Sequence, residues 1–198
     1  LKAAVLGFRR PFFELLESIR YDDGYFLLEE HLDRLCAGAE YFGFRFDAGA
    51  VRAALDAAAA AFAERGPLKV RLLLGRDGVP RIEAEPAKPP TPVRLGWARE
   101  PVDENDVFLF HKTTQREVYR RAKEGRPDCD DMLLWNRAGE ITESTVANVV
   151  LEIDGRRLTP AIGCGLLAGT FRARLLKDGE VREAVLRKEN LSRARSIY

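Results

Sequence analysis

Lys112 stands in Phe110-His111-Lys112-Thr113-Thr114, directly after the apolar run Val107 to Phe110. That run reads as a strand, so the lysine falls at a strand end where a cleft can begin. Burial there disfavours the ammonium and leaves the amine free to form a Schiff base. The ordinary alternative is a solvated lysine. Glu143 lies in Gly139-Glu140-Ile141-Thr142-Glu143-Ser144-Thr145-Val146-Ala147-Asn148, where small polar residues and an acid interrupt two apolar strand candidates. Thr145 and Asn148 are odd choices for a plain core. A carboxylate so placed suits the holding of a proton on a ring nitrogen. The alternative is a polar hairpin with one exposed glutamate.

His31 and Arg34 sit three residues apart in Glu29-Glu30-His31-Leu32-Asp33-Arg34-Leu35, which puts them on one helix face beside the apolar stripe. A guanidinium offers a planar fork of donors suited to a phosphate. Equally available is a local ion pair between Glu30 and Arg34 at i, i+4. Leu166-Leu167-Ala168-Gly169-Thr170-Phe171-Arg172 reads as a glycine turn feeding a helix, whose free amides form an anion site. Any tight turn before a helix has the same pattern.

The elements that must position these residues follow from periodicity. Leu28, Leu32, Leu35, Ala39 and Phe42 recur at helical spacing after an opening strand region. Asp47 is suited to cap a second helix over the alanine-rich run from Ala48 to Arg65, which Gly66 closes. Leu68 to Leu74 and Val79 to Glu85 flank Gly75-Arg76-Asp77-Gly78, a β-hairpin signal. Pro86, Pro89, Pro90 and Pro92 then lack backbone donors and favour extended geometry, which sets a lobe boundary. The expected organisation is a small α+β lobe over 1–88 and a larger strand-rich lobe over 89–198. In the latter, Val93 to Ala98, Val107 to Phe110, Met132 to Trp135 and Val146 to Ile153 are strand candidates, with turns at Arg137-Ala138-Gly139 and Asp154-Gly155. Helices are expected over Thr113 to Lys123 and from just after Gly169 to near Gly179.

Bulk properties remove several function classes. The 198 residues carry 32 basic and 31 acidic side chains, so charge points to neither nucleic acid nor a membrane surface. Cys36, Cys129 and Cys164 are odd in number and form no CxxC pair, which argues against a disulfide framework and for a reducing, cytoplasmic setting. With only two histidines no metal site is expected. No apolar run approaches the roughly 20 residues of a membrane helix.

Taken together, five segments resemble the fold-type IV pyridoxal-phosphate enzymes, and within them the aminodeoxychorismate lyases. They are FELLESIR from Phe13 to Arg20, FLLEEHLDRL from Phe26 to Leu35, HKTTQREVY from His111 to Tyr119, LLWNRAGEITESTVANVV from Leu133 to Val150, and CGLLAGTFRARLL from Cys164 to Leu176. The resemblance implies a two-lobed α+β fold with pyridoxal 5'-phosphate in the cleft, and a homodimer whose interface helps close the site. By it, Lys112 matches the Schiff-base lysine, Arg34 the phosphate-binding arginine of the HxxR helix, and Glu143 the acid facing the pyridine nitrogen. Thr170 and Phe171 match the positions whose backbone amides hold the phosphate. Thr145 and Asn148 fall in the segment lining the cofactor pocket.

The implied activity is conversion of 4-amino-4-deoxychorismate to 4-aminobenzoate and pyruvate, a step toward folate. Two substitutions depart from the pattern: Ala168 replaces a common proline before the loop glycine, and Ser18 stands where a threonine often lies near the substrate, keeping the hydroxyl. The chain's beginning and its end at Tyr198 match the lyase half of a fused aminodeoxychorismate synthase and lyase, or a chain with disordered ends. A branched-chain or D-amino-acid aminotransferase needs the same lysine, arginine and glutamate. A catalytically silent binding or assembly domain is the alternative of another class, and it need not hold the cofactor.

Overall fold

The computed structural model describes residues 12–62 and 66–198. The end of the alanine-rich run, 63–65, and the first eleven residues of the chain lie outside the described residues. Strand β1 (Leu15–Tyr21) is followed by helices α1 (Leu28–Phe42) and α2 (Ala48–Ala59), then by the hairpin β2 (Leu68–Leu74) and β3 (Pro80–Pro86). The three strands form one antiparallel sheet in the order β1-β2-β3, with Leu15 opposite Leu74 and Ser18 opposite Arg71. Both helices pack on it: Leu32, Leu35 and Ala39 from α1 and Val51 and Leu55 from α2 join Leu15, Val70 and Leu72 in one buried cluster. Asp47 caps α2 as its sequence position predicts, accepting from the amides of Gly49 and Ala50 at 2.8 and 3.1 Å.

Beyond the prolines come β4 (Leu95–Trp97), the one-turn helix α3 (Val107–Phe110), α4 (Glu117–Lys123), β5 (Asp131–Trp135) and β6 (Ile141–Ser144). The chain continues through β7 (Leu151–Ile153), β8 (Arg156–Pro160), α5 (Thr170–Lys177), β9 (Arg182–Ala184) and β10 (Ser196–Ile197). These strands make two sheets, β4-β5-β6 and β10-β7-β8-β9. The Asp154-Gly155 turn between β7 and β8 has both residues at positive φ, 51° and 71°, the geometry of a two-residue hairpin turn.

Three expectations give way to local physics. Val107 to Phe110 is a helical turn, because the Asp106 carboxylate accepts from the Phe108 amide at 3.0 Å and the Asp106 carbonyl from the Leu109 amide at 3.0 Å. Its apolar residues then point into different clusters: Phe108 packs on Phe13 and Phe42, while Leu109 is buried beside Tyr119 and Leu134. The helix expected from Thr113 starts only at Glu117, since Thr113 and Thr114 bond instead toward β1. Of the run Val146 to Ile153, only Leu151–Ile153 is strand. Ser144 turns the chain before it, its hydroxyl accepting from the amides of Val146 and Ala147 at 3.3 and 3.0 Å.

The segment carrying Lys112 therefore reaches its place by another route than a strand end. It lies along the free edge of β1, with the Leu16 amide donating to the Lys112 carbonyl at 3.0 Å and the Thr114 amide to the Glu14 carbonyl at 2.9 Å. The first sheet thus sets the position of a residue that belongs to the second half of the chain. Replacing the cap with Asp47→Ala should cost about 1 kcal/mol of stability by removing a partner from two helix amides. Urea unfolding measures this, and an unchanged midpoint and slope would contradict the capping account.

Candidate active site

A cavity of about 530 Å³ lies where β1, α1, β6 and the start of α5 converge, and it is lined by Ser18, Arg34, Lys112, Glu143, Thr145, Asn148, Thr170 and Phe171, the eight residues to which the resemblance assigns a site position, and by His31. Strand alternation explains the β1 contribution: Ser18 and Arg20 share the face that lines the cavity, whereas Glu17 points the other way toward α1.

Glu17 was not singled out in the sequence, yet it organises the α1 side. Its carboxylate is 1% exposed. Arg34 donates to it from Nε at 2.8 Å and from Nη2 at 2.5 Å, and His31 Nδ1 lies 2.6 Å away. Burial pushes the Glu17 pKa up, but the hydrogen bonds and charges of Arg34 and His31 outweigh it and hold the group below its ordinary value. The local Glu30–Arg34 pair does not form; Glu30 pairs with Arg174 at 2.9 Å. Arg34 also donates from Nη1 to the Ala168 carbonyl at 2.9 Å, and His31 Nε2 lies 3.3 Å from the Thr170 hydroxyl. The helix face bearing His31 and Arg34 is therefore joined to the turn before α5. Those bonds use three of the five guanidinium N–H groups of Arg34, which lines the cavity, and leave two.

On the opposite wall Glu143, buried on β6, accepts from the Tyr119 hydroxyl at 2.8 Å, Asn148 Nδ2 at 3.1 Å and the Leu167 amide at 3.3 Å. Burial still dominates and pushes its pKa up to about 7, against the opposing pull of Tyr119, Leu167, Lys112 and Arg116. Lys112 moves the other way. Burial brings its ammonium down to about 8, while Glu17 raises it and Arg34 and Arg116 lower it further. Its amine makes no hydrogen bond or ion pair among the described residues. An acid and a base whose environments drive both toward neutrality are suited to exchange protons near pH 7.

The remaining expected residues divide by what they touch. Asn148 reaches both Glu143 and the Leu167 carbonyl, the latter at 2.9 Å. Thr145 turns its hydroxyl onto buried Asp131 and gives its carbonyl to Arg116. Thr170 is buried at the first turn of α5, whereas Phe171 is half exposed, its ring 5.9 Å from that of Phe26. Besides Glu17, the sequence reading did not single out Arg116 or Tyr119 as site residues; their signal lay inside the HKTTQREVY segment.

The cavity meets the requirements of pyridoxal phosphate on four counts. Its volume lies within the usual range for a cofactor pocket. A Cβ on Gly169 would come within 2.0 Å of Asn148 Oδ1, so only glycine lets the backbone draw that close before the free amides of α5. A buried carboxylate and a partner-free lysine line the same space.

Three sheets, a cavity bounded by β1, α1, β6 and the start of α5, and a lysine and a buried glutamate on its walls define the fold-type IV architecture of pyridoxal-phosphate enzymes. The family model described as amino-transferase class IV matches residues 13–198, and the chain belongs to that pyridoxal-phosphate-dependent family. A curated relative, "Putative aminodeoxychorismate lyase" of Schizosaccharomyces pombe, is 30% identical over 92% of this chain and 83% of its own. Among solved structures, a "Putative amino-acid aminotransferase" from Mesorhizobium loti is 33% identical, covers 93% of this chain and 92% of its own, and superposes with a TM-score of 0.85. The fold also matches the PLP-bound form of a hypothetical aminotransferase from Mycobacterium tuberculosis, at 21% identity, TM-score 0.77, and coverage of 93% and 75%. Among the described residues no helix is long and apolar enough to cross a membrane, and no cluster of His, Cys, Asp and Glu could hold a metal ion.

The raised pKa of Glu143 carries a pH signature. Between pH 4.5 and about 7 the folded chain retains a proton on Glu143 that the unfolded chain has already lost. Stability therefore falls as pH rises through that window. In the cofactor-free protein, parent stability should decline across it relative to Glu143→Gln, as chemical denaturation at several pH values would measure. A difference between the two that does not change with pH would remove the raised pKa.

Proposed function

We propose that this chain is a pyridoxal-phosphate enzyme that converts 4-amino-4-deoxychorismate to 4-aminobenzoate and pyruvate, with Lys112 as the lysine that carries the cofactor and moves the proton. The observation that carries the cofactor reading is the meeting of Lys112, Glu143, Arg34 and the α5 amides around one cavity. The lyase reading rests on the likeness to the fission-yeast relative and on the HKTTQREVY and GEITES segments.

Arg34, through its two remaining N–H groups, and the amides of Thr170 and Phe171 would hold the phosphate. Glu143 would keep a proton on the ring nitrogen, with Tyr119 and Asn148 fixing its carboxylate. When bound, the cofactor supplies an electron sink for the carbon that loses a proton. Lys112, brought toward neutrality by burial, takes that proton from the substrate carbon bearing nitrogen. Departure of the enolpyruvyl group as pyruvate then leaves an aromatic ring, and atoms balance without water or an oxidant. Ser18, on the cavity face of β1, offers the departing group a hydroxyl.

A second reading is favoured by the aminotransferase from Mesorhizobium loti: transfer of the amino group to a 2-oxo acid by the same lysine and glutamate. We expect borohydride reduction of the holoenzyme followed by peptide mapping to label Lys112; a label on Lys69, Lys88 or Lys123 would sink the assignment. A coupled pyruvate assay with aminodeoxychorismate and no added oxo acid should show continuous turnover. Conversion of bound cofactor to its amine form with no pyruvate would replace the lyase by the aminotransferase.

A further inference from the structure

Five cationic side chains, Arg20, Arg34, Lys112, Arg116 and Arg172, line the cavity against one carboxylate, Glu143. Three of them are committed elsewhere. Arg20 pairs with Asp22 at 2.8 Å, Arg34 with Glu17, and Arg172 with Glu183 at 2.5 Å. Lys112 is reserved for the covalent link. Arg116 remains: among the described residues it pairs with no carboxylate and donates only to the Thr145 carbonyl.

That guanidinium is held in place. It stacks on the Tyr119 ring, 4.3 Å from the centroid, and Tyr119 in turn donates to Glu143. The carbonyl that receives Arg116 is itself set from behind, because the Thr145 hydroxyl bonds to Asp131, whose carboxylate also takes the Met132 amide at 2.8 Å. The charge of Arg116 reaches both reacting groups, lowering the pKa of Lys112 and of Glu143. A guanidinium has five donors in a planar fork, and the one bond to Thr145 leaves four. Stacking on an aromatic face and fixing one edge reduce the freedom lost when the other edge binds.

We propose that Arg116 is a second anion-binding residue of this cavity, apart from the phosphate site at Arg34 and the start of α5, receiving an anionic oxygen beside Lys112: a carboxylate of the substrate or the ring oxygen of the cofactor. The assignment rests on the pyridoxal-phosphate reading for its setting, not for its chemistry. A fixed cation at this point orients the reacting carbon relative to the Lys112 amine.

The test compares the holoenzyme with Arg116→Gln and Arg116→Lys. Benzoate and its neutral counterpart benzamide serve as probes, and the visible band of the bound cofactor is titrated with pH in parallel. If the oxygen is a substrate carboxylate, Arg116→Gln should weaken benzoate binding about 10- to 100-fold while leaving benzamide unchanged, the expected loss of a charge-assisted hydrogen bond. If it is the ring oxygen, benzoate binding should hold while the titration of the visible band moves upward in pH and cofactor affinity falls. In either case Arg116→Lys should recover part of the effect, and it stands in should the glutamine variant fail to fold. Variants that lose only thermal stability, with probe binding and band titration unchanged, would reduce Arg116 to a brace for Thr145 and Tyr119 and overturn the proposal. A parent without a visible band would sink the cofactor reading and with it the ring-oxygen arm, and benzoate binding unchanged in Arg116→Gln would then overturn the proposal.

Discussion

A carboxylate that is 1% exposed must be neutralised where it stands, and Glu17 meets that demand with two residues from one helix face. Burial of an unpaired carboxylate costs several kcal/mol, so α1 must sit where Arg34 and His31 both reach β1. The same two residues then extend to the Ala168 carbonyl and the Thr170 hydroxyl. One buried charge thereby fixes three things: the packing of α1 on the first sheet, the orientation of the guanidinium, and the position of the turn that opens α5. Breaking the pair from either side would leave an uncompensated charge in the core, which is why this contact constrains more than its few bonds suggest.

The opposite wall uses burial differently. Glu143 has three donors aimed at it but no cation in contact, and desolvation wins, so it sits near neutrality. Glu17 has a guanidinium in two-point contact and stays ionised. Two buried glutamates are thus shifted in opposite directions, because one has a formal charge against it and the other has neutral donors. Lys112, placed between these walls by pairing with the edge of β1, is depressed by burial more than the glutamates restore it.

Much of this arrangement could be read from the sequence, and the failures have identifiable causes. Helical periodicity located α1, the Asp47 cap located the start of α2, whose end at Ala59 falls short of the expected Arg65, and Asp-Gly punctuation located the first hairpin. Val107 to Phe110 misled because four consecutive apolar residues fit a strand and a buried helical turn equally; Asp106 decided the matter through a bond the pattern does not encode. Glu17 escaped notice because an acid within FELLESIR, which also holds Glu14, reads as the polar phase of a strand. Its partner lies 17 positions away, whereas Glu30 offered Arg34 a local alternative. Arg116 was hidden for the opposite reason: what distinguishes it is the absence of an acidic partner, a property of three-dimensional neighbours alone.

The turn from Leu167 to Gly169 explains why one departure from the family pattern is tolerable. Every contact it makes with the two carboxylate networks runs through backbone: the Leu167 amide to Glu143, the Leu167 carbonyl to Asn148, and the Ala168 carbonyl to Arg34. A proline at 168 would present the same carbonyl as alanine does, so exchange between them leaves the bond to Arg34 available. Gly169 has no such latitude, because its missing side chain is what admits Asn148. The turn is thus the point at which the ionised and the near-neutral glutamate are held in register. Its chemistry depends on where the backbone runs, with side-chain identity constrained at the glycine and free at the residue before it.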